Sequence, residues 1–474
     1  MRKSTTDTRT TSPAEIDRFG WAAKRAARVY GATTSAKRAA FLRDFASRLE
    51  QAGDDLIETT HNETSLPLAR LRGERMRSVL QLRMFADMLD EGSWLDVRIE
   101  PGDPKRPGSP KPELRRTQVP LGPVAVFGAS NFPYAFSIAG GDVASALAAG
   151  CPVIFKGHPA HPRTTEMVAS IIREAVEAAG LPEAVFTVVW GGIDEGIALV
   201  KHPAVAAVGF TGSLSAGKAI AGICAARPRP IPVYAEMGSV NPVFLLPGAL
   251  AERGAALAKE YAQSLTLGTG QFCTNPGIVV GLAGSDFDTF QRAVGDVLAE
   301  TSVHGMLTES IEAAYIRGVH RHQTDSRLKA ITLGNGPAPA FFSTSAVELV
   351  RDPSLGEELF GPCGIAVSCQ SVAEMEEVCE ALTGQLTTTI HFAPSDTAAV
   401  QSLLPALTDA SGRVVANGFP TGVEVCPAMH HGGPYPATSD SRSTSVGTAA
   451  ALRFIRPVVY QDFPVELLSE ELQG

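Results

Sequence analysis

The sequence predicts an α/β protein whose sheets are parallel and covered by helices on both faces. From Val119 onwards, short apolar segments alternate with helical stretches, which is the pattern of strand, helix, strand units. The strand segments are apolar almost throughout, as expected for sheets buried on both faces. The chain has 474 residues, more than one simple core holds, so we expect two or three domains.

Composition excludes several classes of partner. A net charge of −9 provides no basic surface for nucleic acid or for an anionic membrane, and we expect neither partner. The seven cysteines include no Cys-x-x-Cys pair, which favours neither a disulfide framework nor a zinc site. Residues 1–9 lack the apolar region of a secretory signal, so we expect none, and the sequence contains no run of 18 apolar residues. We therefore expect a cytoplasmic protein.

The N-terminal part is predicted to be helical and then extended. Ser12-Pro-Ala-Glu15 combines an N-cap, a proline at the first helical position and a reciprocating Glu, so the first helix begins there. Residues 13 to about 91 have the pattern of several amphipathic helices. Five prolines interrupt that pattern between about 92 and 115, which predicts an extended excursion or linker.

Two α/β units follow. The second begins near Asn241, and helices are predicted at Thr164–Ala179, at Asp194–His202 and across 251–266. The predicted strands lie at 124–127, 153–155, 185–189, 205–210 and 233–234 in the first unit, and at 242–246, 278–280, 365–368, 387–392 and 414–416 in the second. The apolar tail 452–463 could add to a neighbouring sheet edge, which would make it an oligomer contact.

Cys273 is the candidate nucleophile. It lies in the chargeless, Gly-rich loop Ser264–Gly277 between two apolar segments. Gly268, Gly270 and Gly277 would let this backbone adopt strained angles and approach a ligand closely. A thiolate needs such a setting, with backbone N–H groups nearby. The alternative is a buried, inert thiol, since free Cys often behaves as a small hydrophobe.

Polar residues at predicted strand ends supply further candidate groups. The Asn131 amide could donate to an oxyanion, or could cap the next turn. Glu236, if it faces an apolar cleft, would have a raised pKa and could act as a general base. Solvent exposure is the alternative for that carboxylate. His158 and His161 lack a third ligand at useful spacing, so we expect no metal site.

Three segments could contact a nucleotide. Lys156 could pair with a ribose hydroxyl or a phosphate, and Ser213 opens a helix whose N–H groups could meet a phosphate. Glu358 lies in a tight turn and could bind a ribose diol. Surface side chains and an ordinary strand-to-helix turn are the alternatives. Together with the thiol, the amide and the carboxylate, these groups indicate thioacyl chemistry with a dinucleotide.

The ordered set of these motifs resembles the aldehyde dehydrogenase superfamily. The resemblance runs from about residue 115 to 460, and its motifs are Asn-Phe-Pro at 131–133, Lys156, Phe-Thr-Gly-Ser at 210–213, Glu-x-Gly at 236–238, Gly-Gln-x-Cys at 270–273 and Glu-x-Phe-Gly-Pro at 358–362. Longer segments at 156–162, 420–426 and 431–447 resemble the 2,5-dioxopentanoate (α-ketoglutarate semialdehyde) dehydrogenases. That branch also contains NADP-dependent fatty aldehyde dehydrogenases.

The resemblance implies a domain arrangement. It consists of a Rossmann-type cofactor domain, an α/β catalytic domain and a small β oligomerisation element, so we expect a homodimer or homotetramer. The predicted ranges are 1–98 and 116–238 for the NAD(P)-binding domain, 239–432 for the catalytic domain, 99–115 and 452–465 for the bridging and oligomerisation segments, and 433–451 for the return to the cofactor domain.

The resemblance also implies a role for each site residue. Cys273 attacks the aldehyde carbon, Asn131 and the Cys273 N–H stabilise the oxyanion, and Glu236 activates the water that hydrolyses the thioester. Pro159 stands where NAD-preferring members often carry a Glu, so NADP is favoured over NAD. The implied cofactor-binding residues are Lys156, Gly212, Ser213, Glu358 and Phe360.

The predicted function is therefore NAD(P)-dependent oxidation of a small aldehyde, 2,5-dioxopentanoate, to 2-oxoglutarate. The alternatives are a medium- or long-chain fatty aldehyde dehydrogenase, a CoA-acylating relative and a nucleotide-binding protein without turnover. The group that binds the substrate carboxylate stays open among Arg442, His430 and His431, and a structural role for their loop is the favoured alternative.

Overall fold

The computed structural model describes residues 9–382 and 384–473, so the first eight residues of the predicted cofactor domain lie outside it. Its N-terminal helices are α1 Pro13–Gly31, α2 Ser35–Glu50, α3 Gly53–Thr64 and α4 Leu68–Glu91. Ser12 and Glu15 form the predicted capping box, in which the Glu15 carboxylate accepts the Ser12 N–H at 2.9 Å. The predicted start of the first helix is confirmed.

A three-stranded sheet contains both the proline-rich segment and the tail. Strands β1 (Arg98–Glu100) and β2 (Leu114–Pro120) pair antiparallel, and the exposed stretch 101–110 follows β1. The predicted tail strand is present as β15 (Ile455–Gln461) and pairs antiparallel with β2 of the same chain. The strand order is β1-β2-β15, so β15 keeps one edge without a partner among the described residues.

A five-stranded parallel sheet follows, in the order β5-β4-β3-β6-β7. Its strands are β3 Val124–Phe127, β4 Val153–Lys156, β5 Phe186–Val189, β6 Ala207–Thr211 and β7 Val233–Glu236, with helices α5 Gly141–Ala148, α6 Pro162–Ala178, α7 Ile193–Lys201 and α8 Leu214–Ala225. Phe127 pairs with Lys156, and Thr211 pairs with Glu236. The strand ends that carry the predicted site residues therefore meet at one edge of the sheet, where open α/β sheets bind ligands.

The second unit has a seven-stranded sheet in the order β10-β11-β12-β9-β8-β13-β14, antiparallel only between β10 and β11. Its strands are β8 Val243–Leu245, β9 Ile278–Leu282, β10 Lys329–Leu333, β11 Ala340–Ser345, β12 Cys363–Cys369, β13 Gln385–His391 and β14 Ser411–Ala416, and its helices are α9 Pro247–Thr266, α10 Ser285–Glu300, α11 Glu309–Thr324, α12 Ala346–Arg351, α13 Val372–Ala381 and α14 Thr397–Ala410. The sequence did not predict β10 and β11. β10 is largely exposed and exists through its pairing with β11.

Both larger sheets are buried on two faces. Along β3, Val124 and Val126 pack into one core and Ala125 into another. Along β8, Val243 and Phe244 likewise face different cores. This alternation confirms the predicted sheets covered on both sides. Within the ranges that the structure describes, no helix combines the length and the apolar character that a membrane crossing requires.

Candidate active site

The backbone before Cys273 is strained, and glycine makes it possible. Gly268, Thr269 and Gly270 have φ of 58°, 59° and 66°, three consecutive left-handed residues. A Cβ on Gly270 would lie 2.2 Å from the carbonyl carbon of Gly361, so no other residue fits there. Gly277 has no left-handed φ, and a Cβ there would meet nothing closer than 3.6 Å. The predicted strained backbone is found at Gly268 and Gly270 and is wrong at Gly277, whereas a close approach of this loop to a ligand stays a prediction.

Asn241 fastens the nucleophile loop to the second sheet. Its Nδ2 donates to the carbonyls of Cys273 and Asn275, each at 2.9 Å. Asn241 itself has a left-handed φ of 46°, and its N–H donates to Gln385 Oε1 at 3.1 Å. Sequence reasoning missed this residue because nothing local distinguishes it from an ordinary turn asparagine.

A thiol, an imidazole and a carboxylate meet behind the loop. Cys273 Sγ lies 3.4 Å from His431 Nε2, which lies 3.0 Å from Glu236 Oε1. Ser445 Oγ donates to the other carboxylate oxygen at 2.7 Å. The His431 and Glu236 side chains are only 1% and 4% exposed, so water does not compete for these contacts. One ring nitrogen faces both partners and can pass a proton between them.

The charges in this cluster favour a protonated thiol in the resting enzyme. Burial, together with the Glu236 charge, raises the pKa of Cys273 well above its usual range. Burial would also raise the pKa of Glu236, but the charge and hydrogen bond of His431 and the Ser445 hydrogen bond outweigh burial, and its pKa is lowered. The predicted raised pKa of Glu236 is therefore wrong: its carboxylate is ionised and can accept a proton, but as a weaker base than a free glutamate.

Asn131 reaches the same loop from the end of β3. Its side chain is buried, and Nδ2 donates to the Gln271 carbonyl at 3.0 Å, two residues before Cys273. An amide carries two N–H donors, so one stays free for an oxyanion. The Cys273 N–H donates to no acceptor among the described residues. Both predicted oxyanion donors thus lie at the nucleophile loop.

Three of the five predicted cofactor residues line one cavity of about 600 Å³ at the carboxyl edge of the five-stranded sheet: Lys156, Gly212 and Ser213. Lys156 Nζ donates to the carbonyls of Gly157 and Gly191, and Ser213 Oγ caps α8 by accepting the Ala216 N–H at 3.4 Å. A helix N-terminus and a lysine in a largely apolar cleft fit a dinucleotide phosphate. Among the residues described, no Asp or Glu lines this cavity.

Glu358 and Phe360 lie outside that cavity. They line a smaller recess with Ser239, and the Glu358 carboxylate approaches so closely that a Cβ on Gly238 would lie 2.6 Å from Oε2. Burial raises the pKa of Glu358 to about 8. The Gly212 N–H donates to the Glu236 carbonyl at 3.1 Å. This bond joins the lining of the 600 Å³ cavity to the end of β7, which lies next to the recess of Glu358.

The three ligating atoms of Cys273, His431 and Glu236 lie within 4.8 Å of one another. These are also zinc-ligand types, and a metal ion bound there would block the nucleophile. That the enzyme works without a metal ion at this site therefore stays a prediction. His158 and His161 stack at 5.1 Å between ring centroids, and burial lowers the pKa of each.

Comparison with known proteins finds a family model and relatives that cover most of the chain. The model of the aldehyde dehydrogenase family matches residues 2–433. Alpha-ketoglutaric semialdehyde dehydrogenase 2 from Azospirillum brasilense is 49% identical over 97% of this chain and 89% of its own. The alpha-ketoglutaric semialdehyde dehydrogenase of Acinetobacter baylyi is 44% identical over 97% of this chain and 88% of its own.

Solved structures share the fold at low identity. A 1-pyrroline-5-carboxylate dehydrogenase from Thermus with bound NAD has a TM-score of 0.80 and 19% identity, covering 95% of this chain and 86% of its own. An aldehyde dehydrogenase C mutant from Pseudomonas syringae, in complex with NAD⁺ and octanal, has a TM-score of 0.79 and 19% identity, covering 96% of this chain and 90% of its own. The predicted fold class is confirmed.

Proposed function

This chain belongs to the aldehyde dehydrogenase family, and on that premise we propose that it oxidises 2,5-dioxopentanoate to 2-oxoglutarate. One observation carries the reaction: the Cys273 thiol lies within hydrogen-bonding reach of His431, which also contacts the ionised Glu236. The substrate follows from the names of two relatives that are 49% and 44% identical over nearly the whole chain.

The side chains of the cluster would act in two stages. In the first, His431 Nε2 would give its proton to Glu236 and take the thiol proton in its place, while Sγ forms a bond to the aldehyde carbon. Glu236 would then release the proton to solvent and be ionised again for the second stage. The carbonyl oxygen becomes an oxyanion and accepts hydrogen bonds from Asn131 Nδ2 and the Cys273 N–H. A bound NAD(P)⁺ supplies the acceptor for the hydride that leaves this carbon. In the second stage, Glu236 would accept a proton from water, whose oxygen attacks the thioester carbon. The C–S bond then breaks, Sγ takes the proton from Glu236, and the acid product loses its own proton to solvent and leaves as the carboxylate.

NADP is the proposed preferred cofactor. Lys156, Gly212 and Ser213 would hold its adenosine and phosphate half in the 600 Å³ cavity, with Glu358 and Phe360 at the nicotinamide ribose. A carboxylate that chelates the adenosine ribose also repels a 2′-phosphate. Pro159 lines the cavity instead, and Lys156 is its only charged side chain among the described residues.

We further infer a cytoplasmic homodimer or homotetramer. All seven cysteines are free, as expected in a reducing compartment. The open edge of β15 offers backbone groups for pairing with a second copy.

The test is a comparison of kcat/KM for 2,5-dioxopentanoate, pentanal and a long-chain alkyl aldehyde, each with NAD⁺ and NADP⁺. We expect the dioxo acid to be the best substrate. Cys273→Ala should abolish turnover, whereas the matched Cys426→Ala, at a half-buried thiol outside the cluster, should retain it. A long-chain aldehyde with the highest kcat/KM would contradict the proposed substrate, and no turnover of any aldehyde would contradict the reaction.

A further inference from the structure

We propose that Arg77, on α4, binds the carboxylate of the substrate through the Nε and Nη2 edge of its guanidinium; this inference rests on the proposed oxidation of 2,5-dioxopentanoate. That substrate carries its aldehyde and its carboxylate at opposite ends of a five-carbon chain. With C–C bonds of about 1.5 Å, the two ends lie about 5 Å apart. When Cys273 is bonded to the aldehyde carbon, the substrate carboxylate therefore lies near the thiol cluster, where a cation can bind it.

Arg77 is connected to the cluster through the ring of Phe136. Its Cζ is 5.4 Å from the centroid of the Phe136 ring, and that ring is 5.6 Å from the ring of His431. His431 in turn contacts Cys273. Burial lowers the pKa of Arg77, whereas the negative charges of Cys273, Glu74, Glu424 and Glu236 act in the opposite direction. The guanidinium thus shares the electrostatic surroundings of the nucleophile.

The hydrogen bonds of Arg77 leave one edge free. Nη1 donates to the Val423 carbonyl, which orients the guanidinium plane. Nε and Nη2 are buried and have no hydrogen-bond partner among the described residues. These two nitrogens form one side of the planar fork, and such a side grips a carboxylate through two parallel N–H···O bonds. Two buried donors without acceptors cost free energy, which a carboxylate bound at this edge would recover.

Two other arginines that are half-buried, Arg70 and Arg413, do not offer such an edge. Arg70 Nη2 donates to the Asn131 carbonyl at 2.6 Å, and its unpartnered nitrogens are Nε and Nη1, which do not share an edge. All three Arg413 nitrogens already donate, to Thr387, Pro420 and Gly422.

The candidates from the sequence are also unsuitable. The Arg442 side chain is 89% exposed and pairs with Asp440 at 3.2 Å. Burial and the neighbouring His431 lower the pKa of His430, which keeps that imidazole neutral. His431 is committed to the thiol and Glu236. Arg77 was missed because it lies in a helix whose pattern predicts only a scaffold, and the approach of α4 to Cys273 is a property of the tertiary structure.

The test separates the acidic substrate from an uncharged one. We would measure kcat and KM for 2,5-dioxopentanoate and for pentanal in the wild type, Arg77→Gln, Arg77→Lys and the matched surface control Arg442→Gln. A lost charged hydrogen-bond pair should lower kcat/KM of Arg77→Gln for the dioxo acid about 10- to 100-fold, mainly through KM. The kcat/KM for pentanal should fall by no more than about 3-fold, because that aldehyde has no carboxylate to lose its partner and is affected only through the smaller influence of the Arg77 charge on the pKa of Cys273. Arg77→Lys should recover part of the loss, since it restores the charge without the fork.

Each other outcome has a defined meaning. An equal loss for both aldehydes in Arg77→Gln would show a structural role and overturn the inference, as would an unchanged ratio of the two kcat/KM values. An effect of Arg442→Gln as large as that of Arg77→Gln would overturn it too. A wild type that oxidises pentanal but not 2,5-dioxopentanoate would instead overturn the proposed function, and the inference with it.

Discussion

At the scale of single residues, the surroundings of Cys273 separate it from the other cysteines. Five of these are fully buried, Cys426 is half-buried, and none of the six shares the cluster that joins a buried imidazole to an ionised carboxylate. The same carboxylate that can accept protons also raises the pKa of the thiol. Because the thiolate and not the thiol is the reactive form, a thiol with a raised pKa is protected from alkylation and oxidation in the resting enzyme.

The first prediction concerns that protection. Glu236→Gln removes a negative charge beside Cys273, so the pKa of the thiol should fall and its alkylation by iodoacetamide at neutral pH should accelerate. In the wild type the folded pKa is raised, so the thiolate fraction should be small at neutral pH and the rate should climb as pH rises. Site-resolved mass spectrometry measures the rate, with Cys426 as the reference thiol in the same molecule. A slower or unchanged Cys273 rate in Glu236→Gln would contradict the assignment.

A second prediction at this scale concerns cofactor choice. Pro159→Glu places a carboxylate in the lining of the 600 Å³ cavity near Lys156. Repulsion of the 2′-phosphate should lower kcat/KM for NADP⁺ relative to NAD⁺ by about 10-fold or more. Pro159→Gln, similar in size but uncharged, is the control and should leave the ratio near that of the wild type. If both variants shift the ratio equally, charge is not the cause.

At the scale of elements, α4 contributes more to the site than its pattern predicts. Arg70, Glu74 and Arg77 are spaced four and three residues apart and therefore share one helix face. Glu74 Oε1 accepts the N–H groups of Tyr134 and Ala135 at 2.7 and 3.0 Å, which fastens the segment that follows Asn131. One helix thus supports the oxyanion donor and carries the proposed carboxylate ligand.

The third prediction compares two glycines of the nucleophile loop, Gly270 and Gly277. Gly270→Ala forces a side chain onto a left-handed residue and into the Gly361 carbonyl carbon, 2.2 Å away. The left-handed conformation alone costs about 1–2 kcal/mol, so we expect a larger loss of stability and a large loss of kcat. Gly277→Ala meets no atom closer than 3.6 Å and should cost less than about 1 kcal/mol. Denaturant unfolding and turnover check the pair, and equal effects would show that backbone strain is not what glycine permits here.

At the scale of the whole molecule, the three-stranded sheet joins distant parts of the chain and ends in an exposed strand. On β15, Val459 is 53% exposed, and Phe463 just beyond it is 44% exposed. Paired strands are more stable than open edges, and exposed apolar residues beside an edge mark an association surface. We therefore expect two chains to associate through this surface.

The fourth prediction is that Val459→Asp weakens the oligomer. A charge on the open strand would have to be desolvated on association, so the dissociation constant should rise about 10-fold or more. Light scattering after size-exclusion chromatography measures the change. Val29→Asp, at a 58% exposed valine on α1, is the matched control and should leave the mass unchanged. A monomeric wild type at micromolar concentration would contradict the proposed assembly.

Local patterns were sufficient for most of the fold. The capping box at Ser12, the apolar strands and the proline-rich interruption each depend on neighbours in sequence, and the structure confirms them. β10 was not predicted because its residues are mostly exposed and lack the apolar pattern of a strand. Its hydrogen bonds to β11 hold it in the sheet instead. The pKa of Glu236 was predicted in the wrong direction. The apolar residues around it in the sequence indicate burial, which raises the pKa, but His431 and Ser445, which lower it, are about 200 residues away in the chain.

The sequence by itself determined the fold class, the thiol and the order of the motifs around it, because strand periodicity, turn glycines and short motifs are encoded by adjacent residues. Only the tertiary structure decided which groups share a buried space with that thiol. At least one complete helix separates each of His431, Asn241 and Arg77 from Cys273 along the chain, and no local pattern predicts that these residues approach the thiol. Electrostatic and hydrogen-bonding effects depend on distance in space and on exclusion of water, and both are set when the sheets and α4 pack together.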